Sequence, residues 1–181
     1  DRAAQGSMLG SNWWRAIFHF IEIDILLPSV MLLWLNLSLP SITNFSVLYA
    51  RRLGISDFGI FFIVVGTTSL LARPLLGRLS DRIGRDLSIA TGFGLQILGL
   101  LVMTTVSSLA GMIGCGMLYM LGNAIGSSTT LALALERADP LRRGKQMATF
   151  SIAYPLSYGV GSVITGSTIE FAGYTGMFLA M

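Results

Sequence analysis

Residues Gly77 to Asp86 read GRLSDRIGRD, and the reading of this stretch decides the reading of the whole chain. It gathers five charged side chains, Arg78, Asp81, Arg82, Arg85 and Asp86, in a protein whose charged fraction is only 12%. Gly77 and Gly84 bracket the cluster, and long runs of Leu, Ile, Val, Phe, Gly and Ala flank it.

Working outward, hydrophobic residues make up 53% of the 181 positions, and glycine alone supplies 21 of them. Mean hydropathy is +0.71. A soluble domain carries about 25% charged residues, so a water-facing surface would be hard to build from this supply. The net charge of +3 does not point to nucleic acid, because the basic residues sit between apolar runs rather than along one stripe. One cysteine, Cys115, allows no internal disulfide, and with His19 as the one histidine no zinc set of His and Cys ligands can be assembled.

A membrane-crossing helix needs about 20 mostly apolar residues. Five segments meet that length, at about 25–50, 58–77, 87–106, 111–135 and 147–169. A sixth starts near Tyr174 and reaches Met181, which at about 1.5 Å per residue is too short to span. The expected architecture is an all-α, polytopic bundle over residues 25–181, with five complete transmembrane helices and the start of a sixth. The chain is thus expected to stop inside its last helix.

The connectors alternate. The stretches 77–86 and 136–146 hold Arg78, Arg82, Arg85, Arg137, Arg142, Arg143 and Lys145, whereas 50–57, 107–110 and 170–173 hold only Arg51 and Arg52. Short basic loops stay cytoplasmic, which places the N-terminus inside. Residues 1–24 form an N-terminal cytoplasmic segment. In it Trp13, Trp14, Ile17, Phe18 and Ile21 recur at helical spacing, so an amphipathic helix lying on the membrane surface is expected. His19 then reads as an interfacial polar residue.

The physics of the charged cluster comes first. Asp81 is expected just before a helix start, where its carboxylate can accept from free backbone N–H groups. Gly77 and Gly84 permit a tight turn or a positive φ. The spacing Gly77, Asp81, Arg82, Gly84, Arg85 fits G-x-x-x-D-R-x-G-R. It resembles the signature loop between the second and third helices of each half of major facilitator superfamily transporters. Asp86 departs from that pattern, which usually continues with a basic residue. The resemblance covers about Leu26 to Met181 and implies one six-helix half of a transporter. It implies no cofactor, a lipid bilayer as surroundings, a small-molecule substrate and a missing six-helix half as partners. It also implies that Asp81 and Arg82 belong to a latch that locks the two halves together. The fourth span has Gly122 where N-terminal halves carry an Arg, and Gly161 to Gly166 echoes the antiporter motif with Ser162 in place of proline. Both features match a C-terminal half.

Polar groups at membrane depth mark a substrate cavity, since facing them to lipid is costly. Asn36, Thr43 and Asn44 fall at near-helical intervals around Pro40 in the first span. Tyr119, Asn123, Ser127 and Thr130 form a stripe on the fourth, and Tyr154 and Tyr158 flank Pro155 on the fifth. In the superfamily the first and fourth helices of each half line the cavity. The cavity candidates are therefore Asn36, Asn44, Tyr119, Asn123 and Tyr154. No Asp or Glu lies deep in a span, so the cavity is expected to be neutral and apolar. Arg73, close to the charged loop, is expected to reach the cytoplasmic surface. These readings favour secondary transport by alternating access. The alternatives are a non-transporting receptor or scaffold of the same fold and a membrane-embedded enzyme. For an enzyme, no cluster of His, Asp and Glu at a useful spacing is visible.

Overall fold

The computed structural model describes residues 23–55 and 58–181. The expected surface helix around Trp13 and Trp14, His19 within it, and the loop residue Asp57 lie outside the described residues. Among the described residues six α-helices follow one another: α1 (Ile23–Leu37), α2 (Ser46–Arg52), α3 (Gly59–Ile83), α4 (Arg85–Met103), α5 (Leu109–Arg137) and α6 (Arg143–Ala180). No strand occurs among the described residues. The all-α expectation is met.

The first span is an interrupted helix. α1 ends at Leu37, and a π-helical turn at Ser41–Phe45 precedes α2. Pro40 stands immediately before that turn; it lacks the N–H that would continue the hydrogen-bond ladder. A wide turn of this kind rotates the residues beyond it relative to an ideal helix. Taken together, Ile25–Arg52 is long and apolar enough to cross a membrane, as are Gly59–Leu76, Arg85–Met103 and Leu109–Arg137.

Helix α6 is richer in hydroxyls, and several of them are satisfied within the helix. Ser151 donates to Met147 O at 2.8 Å, Ser162 to Tyr158 O at 2.8 Å and Thr168 to Ile164 O at 2.7 Å. Side chains bonded back in this way lower the cost of placing a polar sequence in lipid. The helix runs 38 residues but breaks at Gly173, where φ is 68° and ψ −171°. That conformation is essentially restricted to glycine. Beyond it Tyr174 and Phe178 turn back onto Tyr49 of α2, with ring centroids 5.5 and 5.6 Å away. The break separates the expected fifth span from the start of the sixth.

Helix α5 is the hub. It packs along α4 and α3 and also meets α1, while α6 packs chiefly on α1. The α4–α5 contact is close because both helices present glycine to it. A Cβ on Gly122 would stand 2.6 Å from Gly92 O, and one on Gly92 would stand 2.9 Å from Gly122 O. Small residues at such crossings let backbones approach where lipid supplies no hydrophobic drive. Large side chains on the outside are apolar as well: Leu70 is 73% exposed and Val163 71% exposed. In water these would be liabilities; against acyl chains they cost nothing.

The charged stretch differs from the expectation. Helix α3 continues through Asp81 to Ile83, so residues 77–83 are helical rather than loop. The turn is Gly84 alone, at φ 94° and ψ 153°, and α4 begins at Arg85. Asp81 therefore does not precede a helix start. The acid in the first turn of α4 is Asp86, where a negative charge is favoured by the positive end of the helix. The residue that broke the motif pattern thus has a physical role.

Candidate functional site

At one end of the bundle the turn after α3 meets the end of α5. Arg85 donates to Glu136 in an ion pair at the surface. The neighbouring connector is held by Gln146, which is buried and accepts from the Asp139 N–H at 2.7 Å; Asp139 Oδ1 in turn accepts from the Leu141 N–H at 2.9 Å. At the opposite end the Tyr49 hydroxyl donates to Val106 O at 3.0 Å, and the Arg52 guanidinium lies 5.6 Å from the Tyr174 ring centre. Basic connectors thus gather at one end and the poorer set at the other. Of the five motif residues, Gly84 makes the turn and Arg85 the ion pair, while Gly77, Asp81 and Arg82 lie on the last two turns of α3. The latch contacts expected of the Asp81 and Arg82 side chains fall outside the described residues.

Between the ends, polar side chains tie α1 to its neighbours. Asn123 donates from Nδ2 to Asn36 Oδ1 at 3.1 Å, and Asn36 donates to Leu32 O at 2.9 Å. Gln96 on α4 donates to Leu35 O at 3.1 Å. Ser38 and Tyr119 share a hydrogen bond of 2.8 Å between their hydroxyls, and Ser41 and Thr165 one of 3.2 Å. Past the π turn, Tyr158 donates to Asn44 Oδ1 at 3.0 Å and lies 3.1 Å from the Thr43 hydroxyl.

A pocket of about 420 Å³ between α1 and α6 is almost wholly apolar, with Lys145 at its rim. Another, of about 300 Å³, is largely apolar but carries several polar side chains and draws on four helices. Leu32 and Asn36 come from α1, Arg73 from α3, Asn123, Ser127, Ser128 and Leu131 from α5, and Phe150 and Tyr154 from α6. On α5 its lining runs from Asn123, at the middle of the helix, to Leu131, six residues before Arg137, so the pocket lies about 9–21 Å from the end that carries Glu136.

Three cavity candidates, Asn36, Asn123 and Tyr154, are therefore brought together on one wall. Tyr119 and Asn44 are not on it. Tyr119 is fully buried in the packed core with its hydroxyl on Ser38. Asn44 is carried away by the π turn to pair with Tyr158. Thr130 is fully buried and bonds back to Gly126 O at 2.7 Å. The polar stripe on α5 thus runs through Asn123, Ser127 and Ser128. Arg73 was the residue missed: α3 runs ten residues beyond it to Ile83, and its side chain lines the pocket. The lining is largely apolar but carries the charge of Arg73, so only the expectation of neutrality is corrected. The sequence signal available was an arginine directly before Pro74 in an otherwise uncharged apolar run.

The family model of the Major Facilitator Superfamily matches residues 26–181. The chain belongs to the major facilitator superfamily. Similar proteins in the superfamily include an uncharacterized MFS-type transporter, YddS, of Bacillus subtilis, 30% identical over 67% of this chain and 28% of that protein. An uncharacterized MFS-type transporter of Methanocaldococcus jannaschii is 23% identical, covering 72% of this chain and 34% of its own length. The synaptic vesicular amine transporter of Rattus norvegicus is 27% identical, covering 68% and 24%. The matched region thus amounts to between a quarter and a third of each relative. With its long apolar helices, this superfamily chain is a multi-pass integral membrane protein.

Proposed function

We propose that the chain is one six-helix half, the C-terminal one, of a secondary transporter, and that it moves a small molecule by alternating access. The single observation that carries this reading is the convergence of α1, α3, α5 and α6 on one pocket within the apolar spans, where Asn36, Asn123, Ser127, Ser128, Tyr154 and Arg73 interrupt a largely apolar lining. Interhelical bonding accounts for Asn36 with Asn123, and Ser127 bonds back to Asn123 O at 2.6 Å, but neither accounts for a void that also takes in Arg73 and Tyr154. A solute that must shed water as it crosses does account for it. The partner is a second half that closes the other side of the pocket. The membrane is the cell or inner membrane, and the Gly84 turn and the 138–142 connector face the cytoplasm with the N-terminus. Asp81 and Arg82, with Arg85 held by Glu136, form the cytoplasmic latch between the halves.

The test is solute flux into proteoliposomes containing the full-length protein. Protein-dependent flux of at least one solute is expected. Asn123→Ala should weaken its apparent affinity about tenfold with insertion unchanged, and Asp81→Asn should slow turnover without changing affinity. A protein that inserts normally and moves nothing overturns the transport reading. An Asn123→Ala variant altered only in expression assigns that residue to packing.

A further inference from the structure

The four-helix pocket holds the charge of Arg73, and no described residue on its wall neutralises it. Arg73 lines it together with Asn36, Asn123, Ser127, Ser128 and Tyr154. None of the described lining residues is an acid. The ion pair recorded among the described residues, Arg85 with Glu136, lies at the end of the bundle and does not involve Arg73. An arginine stays protonated in any protein environment. Arg73 is exposed and sits one turn inside the end of the apolar window Gly59–Leu76, and a charge there is costly unless it is paired, hydrated or met by a ligand. The surroundings are also of one kind. Asn123 already donates to Asn36, yet its second amide N–H remains, and the hydroxyls of Tyr154 and Ser128 line the same void. These are hydrogen-bond donors placed around a cation, which suits a ligand that carries negative charge and accepts bonds.

We infer that this pocket takes a small organic anion bearing a carboxylate, with Arg73 as its charge partner. This rests on the transport reading above and names its substrate class. The planar guanidinium matches a carboxylate through two parallel N–H···O bonds, a geometry that lysine cannot reproduce. Asn123 and Tyr154 donate to the remaining lone pairs or to a second polar group of the ligand. Leu32, Leu131 and Phe150 receive its apolar part. A volume of about 300 Å³ on this half is at the small end for ligand sites, so the ligand is metabolite-sized.

The test uses the full-length transporter in detergent, in a buffer free of small carboxylates, and reads the thermal unfolding midpoint. The probes are acetate, pyruvate, succinate, citrate and benzoate, with acetamide, benzamide and benzylammonium as uncharged and cationic counterparts. At least one carboxylate is expected to raise the midpoint saturably while its amide does not. Arg73→Gln should weaken that binding at least tenfold, and Arg73→Lys should weaken it less. Stabilisation by benzylammonium instead, by none of the carboxylates, or equally in Arg73→Gln overturns the inference. Where Arg73→Gln does not fold, the wild-type charge series and Arg73→Lys decide it. The two readings fail separately. Flux of benzylammonium with no carboxylate binding removes the anion and keeps transport. Carboxylate binding that depends on Arg73, with no flux of any solute, removes transport and keeps the site.

Discussion

Single residues carry the polar connections across the bundle, and their energies are modest. Tyr119 is fully buried, and its hydroxyl meets that of Ser38 at 2.8 Å. Tyr119→Phe keeps the ring in the core and removes only that bond. Interhelical hydrogen bonds of this kind are worth about 0.6 kcal/mol on average and up to about 1.7 kcal/mol. The variant is therefore expected to lose about 1 kcal/mol or less in reversible unfolding with a denaturing detergent. A loss of several kcal/mol would mean that the hydroxyl organises more than one partner. The Arg85–Glu136 pair is weaker still in this sense, since Glu136 is 59% exposed and surface ion pairs contribute about 0–1 kcal/mol. Its importance lies in where it places the turn.

At the level of elements, backbone proximity decides which helices pair. The α4–α5 crossing depends on glycine at Gly92 and Gly122, where an added Cβ would enter the space of a backbone oxygen that cannot rotate aside. Gly122→Val should force the two helices apart and cost about 1–3 kcal/mol, the usual range for overpacking. Gly114, on the same helix, has open space around its would-be Cβ. Gly114→Val should be tolerated in the same unfolding measurement, and equal losses at both positions would show that the crossing is not the cause. The first span obeys a different rule. Pro40 and the π turn at Ser41–Phe45 divide it, so Asn36 faces Asn123 while Asn44 faces Tyr158. One interrupted ladder thereby supplies polar groups to two separate places.

For the whole molecule, the connectors sort into two ends before any membrane is considered. Gly84 and residues 138–142 are at one end with the Arg85–Glu136 pair; residues 53–55, 104–108 and Gly173 are at the other. Under the proposed orientation, Leu141→Cys, at an exposed position, should react with a membrane-impermeant maleimide only after intact cells are opened. Ser107→Cys, also exposed, should react in intact cells. Cys115 is buried and should contribute little background. The reverse labelling pattern would invert the topology and move the charged turn to the outer face.

Much of this molecule was legible in the chain itself. A run of about 20 apolar residues has few fates other than crossing a bilayer, and an uneven distribution of Arg and Lys among short connectors is a one-dimensional property. The spans, their alternation and the G-x-x-x-D-R-x-G-R spacing follow from that order alone. The end of α3 was misjudged because charge was taken for loop: an arginine- and aspartate-bearing helix can extend past the apolar region, and only Gly84 with its positive φ stops it. Which polar residues share a void was also hidden. Helical spacing puts Tyr119, Asn123, Ser127 and Thr130 on one stripe, but neighbouring helices seal Tyr119 and Thr130 off completely, while the buried Asn123 and the half-buried Ser127 still reach the pocket wall. The arrival of Arg73 in one pocket with Asn36 and Asn123 depends on α1 and α3 packing against glycines of α5, Gly126 on Leu35 and Gly116 on Phe61 and Val65, and contacts of that kind exist only once the chain is folded.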